Sequence, residues 1–141
     1  MESVERKMRV FLLGAGASYG SDNSGTPPMG ADLFEALRAF NPPGWGQLPL
    51  SLALAFRTDF ERGMVELAKT NSHAMPVLQR AMASFFFNYQ PKTSNLYVQL
   101  AKRVQRSKWS GAIGTLNYER LLEISFSHVG VRPIVGQAAR I

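Results

Sequence analysis

Val10-Phe11-Leu12-Leu13-Gly14-Ala15-Gly16-Ala17-Ser18 is the stretch on which the fold turns. Met8 to Leu13 is a short apolar run that ends in glycine, the pattern of a buried parallel strand rather than of a helix. Arg6, Lys7 and Arg9 precede the run, and Ala15-Gly16-Ala17 imitates a leader cleavage site. Glu2 and Glu5 spoil the charged region and Gly14 interrupts the apolar one, so the strand is the better expectation. Glycines directly after a strand let backbone N–H groups approach a pyrophosphate, and Ser18 would add a hydroxyl donor. Tyr19 stands where a standard dinucleotide fingerprint wants glycine or alanine, so this is not that fingerprint. By itself the loop is equally well a tight turn.

Beyond it the chain alternates breakers and helical periods. Tyr19 to Gly30 is polar and rich in glycine and proline. Asp32 to Phe40 sets Leu33, Phe34, Leu37 and Phe40 on one helical face. Asn41 to Pro49 breaks the chain again, with Trp45 either an exposed anchor or a core plug. Leu50 to Lys69 is expected to be helical with a break near Gly63. Met75 to Tyr89 is expected to be an apolar helix with Pro76 in its first turn, Phe85, Phe86 and Phe87 in the core, and Met64, Met75 and Met82 as filler. Ser94 to Arg106 follows, with Leu96, Leu100 and Val104 inward and Ala101 beside them. Trp109 to Leu116 is the second strand, with Trp109 at the corner before it. Asn117 is expected to cap a helix that buries Leu121, Leu122 and Phe126. Pro133-Ile134-Val135 would open a third strand. The order predicts an α/β fold with a helical insertion, over about residues 31–107, between strands one and two.

The 141 residues include 45% apolar and 18% charged, which excludes a disordered chain. There is no cysteine, hence no disulfide scaffold, thiolate metal site or cysteine nucleophile, and a reducing, cytoplasmic compartment is expected. Two histidines, His73 and His128, are too few for a histidine-rich metal centre, and no metal is expected. No apolar run is long enough to span a membrane. The net charge is +6 and the pI about 10.1. No acidic residue lies between Glu66 and Glu119, a gap that holds Lys69, Arg80, Lys92, Lys102, Arg103, Arg106 and Lys108. These basic residues are sparse, so solvated helix faces are favoured over a nucleic-acid surface. No spacing pairs two of Glu35, Glu61, Glu66 and Glu123 as acid and base, and no Ser-His-Asp set is supportable.

A second motif, Gly114-Thr115-Leu116-Asn117-Tyr118-Glu119-Arg120-Leu121-Leu122-Glu123, ends a strand and starts a helix. Together with Gly14-Ala15-Gly16-Ala17-Ser18 and Gly25-Thr26-Pro27, in that order, it resembles the sirtuin-like (silent information regulator two-like) family. The likeness is to its divergent bacterial branch and spans residues 8 to about 126, the amino-terminal part of that domain. The resemblance implies a Rossmann-like NAD-binding fold, here incomplete at its C-terminal end. It implies that Gly14, Ala15, Gly16 and Ser18 hold the pyrophosphate and that Pro27 belongs to the loop over the nicotinamide side. Thr115 and Asn117 match the strand-end motif, Asn117 being the catalytic asparagine that orients the ribose and the attacking water. Glu119 stands where the family has an aspartate facing the nicotinamide amide, and Leu116 replaces a polar residue. The family's His-Gly base has no counterpart at the right distance. His128 is only eleven positions after Asn117 and is read as the end of a helix, favoured there by the dipole, while His73 is read as a surface or capping residue.

Two functions follow from the resemblance. One is an NAD-hydrolysing, nicotinamide-releasing enzyme of the kind that serves anti-phage defence, or its amino-terminal part. The other is a non-catalytic NAD- or ADP-ribose-binding or interaction module that lacks the histidine. Three strands are too few to shield the apolar load, so self-association or a partner that supplies further strands is expected.

Overall fold

In the computed structural model, which describes residues 9–107 and 110–132, the first expected strand forms as β1, Arg9–Leu13, and the second as β2, Gly111–Thr115. They pair in parallel with Arg9 opposite Gly111 and Leu13 opposite Thr115. Both therefore end at the same edge, and the loops that carry the two glycine-containing motifs leave side by side. A parallel pair requires a long crossover, and here that crossover is helical. The order is β1, α1 (Ala15–Ser18), α2 (Gly30–Phe40), a 3-10 turn (Trp45–Gln47), α3 (Leu50–Thr58), α4 (Phe60–Thr70), a 3-10 turn (Ser72–Ala74), α5 (Met75–Phe87), α6 (Leu96–Arg106), β2 and α7 (Leu121–Ser127). The protein is mixed α/β, mostly helical, with a two-stranded parallel sheet among the described residues. Trp109 and Pro133-Ile134-Val135 lie outside the described residues.

The chain divides into two compact units. Residues 25–89 form one. The stretches before Gly25 and after Tyr89 form the other, so α6 belongs with the strands.

The unit of residues 25–89 has an aromatic core. Trp45, Phe34, Leu37, Phe56 and Leu67 are wholly buried. Phe34 stacks on Phe56 at 5.1 Å, and Trp45 meets Phe56 edge-on at 5.3 Å. Trp45 is thus a core plug, and its indole N–H donates to the Leu78 carbonyl at 3.0 Å. Met82 is buried, with Met64 and Met75 packed against the same cluster. Phe85 and Phe86 are core as expected, but Phe87 is 76% exposed, on the far side of the last turn of α5. The helical break lies at Asp59 and not at Gly63. Asp59 caps α4 by accepting from the amides of Glu61 and Arg62. Gly63 is instead a packing residue, since a Cβ there would stand 2.3 Å from the Phe56 ring.

The unit with the strands is built differently. Every buried polar side chain among the described residues lies in it: Ser18, Ser21, Asp22, Asn95, Glu119 and Ser125. Its apolar interior is Tyr97, Val98 and Ala101 of α6 with Leu121 and Leu122 of α7. On α6, Ala101 is wholly buried and Leu100 and Val104 are half-buried as expected, but Leu96 is exposed and Tyr97 and Val98 take the inner places, because Tyr97 points to the polar interior. Strand β1 is not buried. Val10, Phe11 and Leu12 are 67%, 51% and 65% exposed.

Candidate functional site

Two loops converge at the C-terminal edge of the strand pair. After β1 the chain enters the single turn α1, with Gly14 at its start. After β2, the Thr115 hydroxyl accepts the Asn117 amide N–H at 3.0 Å and turns the chain sharply. This turn sends the Asn117 side chain back across to the first loop. Its Nδ2 donates to the Gly14 carbonyl at 3.2 Å, to Ser18 Oγ at 3.0 Å and to Glu119 Oε1 at 2.7 Å. Asn117 therefore does not cap the next helix as the sequence suggests. Helix α7 starts at Leu121, and Glu119 Oε2 takes the Leu121 amide at 2.7 Å.

Ser18 is 3% exposed and its hydroxyl is saturated. It donates to Glu119 Oε1 and accepts from Asn117 Nδ2. The Tyr97 hydroxyl lies 2.9 Å from the same oxygen. A serine hydroxyl has one proton and two lone pairs, so Tyr97 must be the donor. Burial pushes the Tyr97 hydroxyl pKa up, and the carboxyls of Glu119 and Glu123 add to this against the Ser18 bond. Tyr97 thus keeps the proton that it donates.

Tyr97 is placed by a second polar knot. Asn95 caps α6, its Oδ1 accepting the Tyr97 amide at 2.8 Å and its Nδ2 donating to Asp22 Oδ2 at 2.9 Å. Asp22 also accepts from the Lys92 amide at 2.9 Å and from the Ser24 amide and hydroxyl at 3.0 and 2.6 Å. Burial would raise the Asp22 carboxyl, but these donors outweigh it and hold the group well below the usual carboxylate range. A chain of polar contacts thus runs from Asp22 through Asn95, Tyr97 and Ser18 to Glu119 and Asn117. Glu123, in the first turn of α7, has a buried Oε2 without a partner among the described residues. Burial and the nearby Glu119 raise its pKa.

Of the site residues expected from sequence, Gly14, Ser18, Thr115, Asn117 and Glu119 meet at this edge, with Ala15 and Gly16 in the same turn. Pro27 lies in the unit of residues 25–89 and is buried. The hydroxyl of Ser18 is used within the chain rather than offered outward, and both oxygens of Glu119 are engaged. A Cβ built on Gly14 or Gly16 meets nothing within 4 Å, and neither has a positive φ. Nothing among the described residues requires glycine at these two positions. Sequence reasoning missed Asp22, Asn95 and Tyr97. The only local hints were the Asp22-x-Ser24 turn pattern and an asparagine just before a helical run.

His128 is the exposed residue that ends α7, and His73 is exposed in the turn before α5, both as read from the sequence. Among the described residues no group of His, Asp and Glu could hold a metal ion. No helix among them is long and apolar enough to cross a membrane. Comparison of the chain with family models, with curated proteins and with solved structures finds no match.

Proposed function

We propose that the chain is the nucleotide-binding part of a sirtuin-like NAD hydrolase, with a Rossmann-like site at the C-terminal edge of β1 and β2. One observation carries this reading. The glycine loop after β1 and the Thr-x-Asn loop after β2, a hundred residues apart, are joined through the Asn117–Gly14 bond of 3.2 Å. Open parallel sheets bind ligands at that edge. The open space over Gly14 and Gly16 supports the approach of a pyrophosphate to the backbone amides.

The residues divide the work. Gly14, Ala15 and Gly16 offer backbone, while Ser18, with its hydroxyl consumed, holds the loop in shape. Thr115 turns Asn117 toward the site, and Asn117 orients the ribose and the water that attacks it as nicotinamide leaves. No His-Gly base is placed by the described residues, which favours weak turnover by this chain, since a general base contributes about 10²–10⁴-fold. That same point favours the alternative, an NAD- or ADP-ribose-binding module without catalysis.

Calorimetric titration with NAD and ADP-ribose tests the proposal. Both should bind, and Gly16→Val should weaken binding more than about tenfold, or ~1.4 kcal/mol. A Cβ on Gly16 meets no atom within 4 Å among the described residues, so Gly16→Val should stay folded, and its thermal melt checks this. Unchanged affinity in that variant overturns the site. Nicotinamide release abolished by Asn117→Ala would select the enzyme over the binding module.

A further inference from the structure

We propose that Glu119 is a positioning residue that locks the Asn117 side-chain amide with its carbonyl oxygen as the free end, so that the site offers a hydrogen-bond acceptor to a hydroxyl of the ligand. This rests on the nucleotide reading of the same site. It assigns Glu119 a task other than contact with the ligand.

The orientation follows from what surrounds Nδ2. The Gly14 carbonyl can only accept, as can the carboxylate oxygen Glu119 Oε1 at 2.7 Å. The proton of Ser18 is already given to Glu119. A reversed amide would set Oδ1 against three acceptors, so only the NH₂ fits inward. The network engages Nδ2 and leaves Oδ1, at the opposite corner of the planar amide, as the free end.

Glu119 is itself held at both ends. Its Oε2 takes the Leu121 amide at the start of α7, while its Oε1 takes Ser18 and Asn117. At 6% exposure it has no open face for a ligand. It acts on a ligand only through Asn117.

Glu119→Gln removes the lock while keeping the size. Its single carbonyl oxygen cannot serve Ser18, Asn117 and Leu121 at once. With that oxygen on Leu121, its NH₂ faces Asn117, which is relieved only when Asn117 turns over. Glu119→Asp keeps the carboxylate and is the rescue.

The readout is hydrogen exchange of the Asn117 side-chain amide, followed by nuclear magnetic resonance in the ligand-free chain and assigned by its loss in Asn117→Asp. In the unsubstituted chain this NH₂ should exchange at least about tenfold more slowly than that of exposed Asn23. Exchange as fast as that of Asn23 overturns the proposal without recourse to any variant. In Glu119→Gln the protection should vanish, and in Glu119→Asp it should persist. Protection retained in Glu119→Gln also overturns it. With NAD as probe, affinity should fall about tenfold in Glu119→Gln and stay within about threefold in Glu119→Asp. Exchange is measured without ligand, so a chain that shows the lock but binds no NAD defeats the nucleotide assignment and not the positioning role.

Discussion

Asp22 carries no motif, yet four donors converge on it from Ser24, Lys92 and Asn95. Its carboxyl is held below the ordinary value of about 3.9, so the folded chain keeps it ionised where the unfolded chain takes up a proton. The stability it contributes is therefore complete above about pH 4 and is lost as pH falls below that value. Denaturant melts between pH 6 and pH 2.5 should show this decline for the native chain and a flatter profile for Asp22→Asn. At pH 6 Asp22→Asn should be less stable by about 2 kcal/mol or more, because charge-assisted bonds to buried donors are lost. Equal stability at pH 6 would contradict the role. Glu123 works in the opposite sense. Its raised pKa means that its contribution is present below the ordinary value of about 4.3 and is lost as pH rises through the folded one. The motif residues were legible because glycines and polar side chains directly follow apolar strands. Tyr97 was not, because Ser18 lies 79 residues away, and Asp22 showed only its local turn with Ser24, since Lys92 and Asn95 lie 70 and 73 residues away.

At the scale of elements, β1, α2, α5 and β2 could be read almost to their ends. The errors came from ambiguous punctuation and from rotation. Glycine suggested a break at Gly63, but a glycine in a helix can equally serve close packing, and the Phe56 ring lies where its Cβ would be. The true stop was Asp59, a capping residue followed at once by an acidic first turn. Gly63→Val should therefore destabilise the unit of residues 25–89 by at least about 2 kcal/mol through overpacking, despite its better helix propensity. Thermal unfolding checks this, and a stabilised variant would show that Phe56 yields freely. Helix α6 shows the second kind of error. Of the expected row Leu96, Leu100 and Val104, Leu96 is exposed and the other two are half-buried, while Tyr97 and Val98 join Ala101 in the interior. A tyrosine whose hydroxyl has a buried partner outweighs a leucine at the helix edge, and hydrophobicity alone cannot anticipate that.

For the whole molecule, α/β character and the helical crossover were legible, while the division into an apolar unit and a polar-centred unit was not. That division depends on which side chains meet, not on their order. The exposed Val10, Phe11 and Leu12 of β1 bear on association. Exposed apolar strand residues attract further chains. Light scattering should find the purified protein self-associated, and Val10→Lys should shift it toward monomer; a native chain already monodisperse as a monomer would refute this. The Asp22 knot, finally, sets an order of events in time. It ties Ser24, where the chain departs, to Lys92, where it returns. Closing so long an excursion from an open coil costs about 3–4 kcal/mol of chain entropy. Contacts within residues 25–89 span shorter distances and should form first, as local topologies do. Once that segment has collapsed, its two ends are delivered to each other and the knot closes late. The strand pair and the two loops at its edge would then be the last part of the protein to mature.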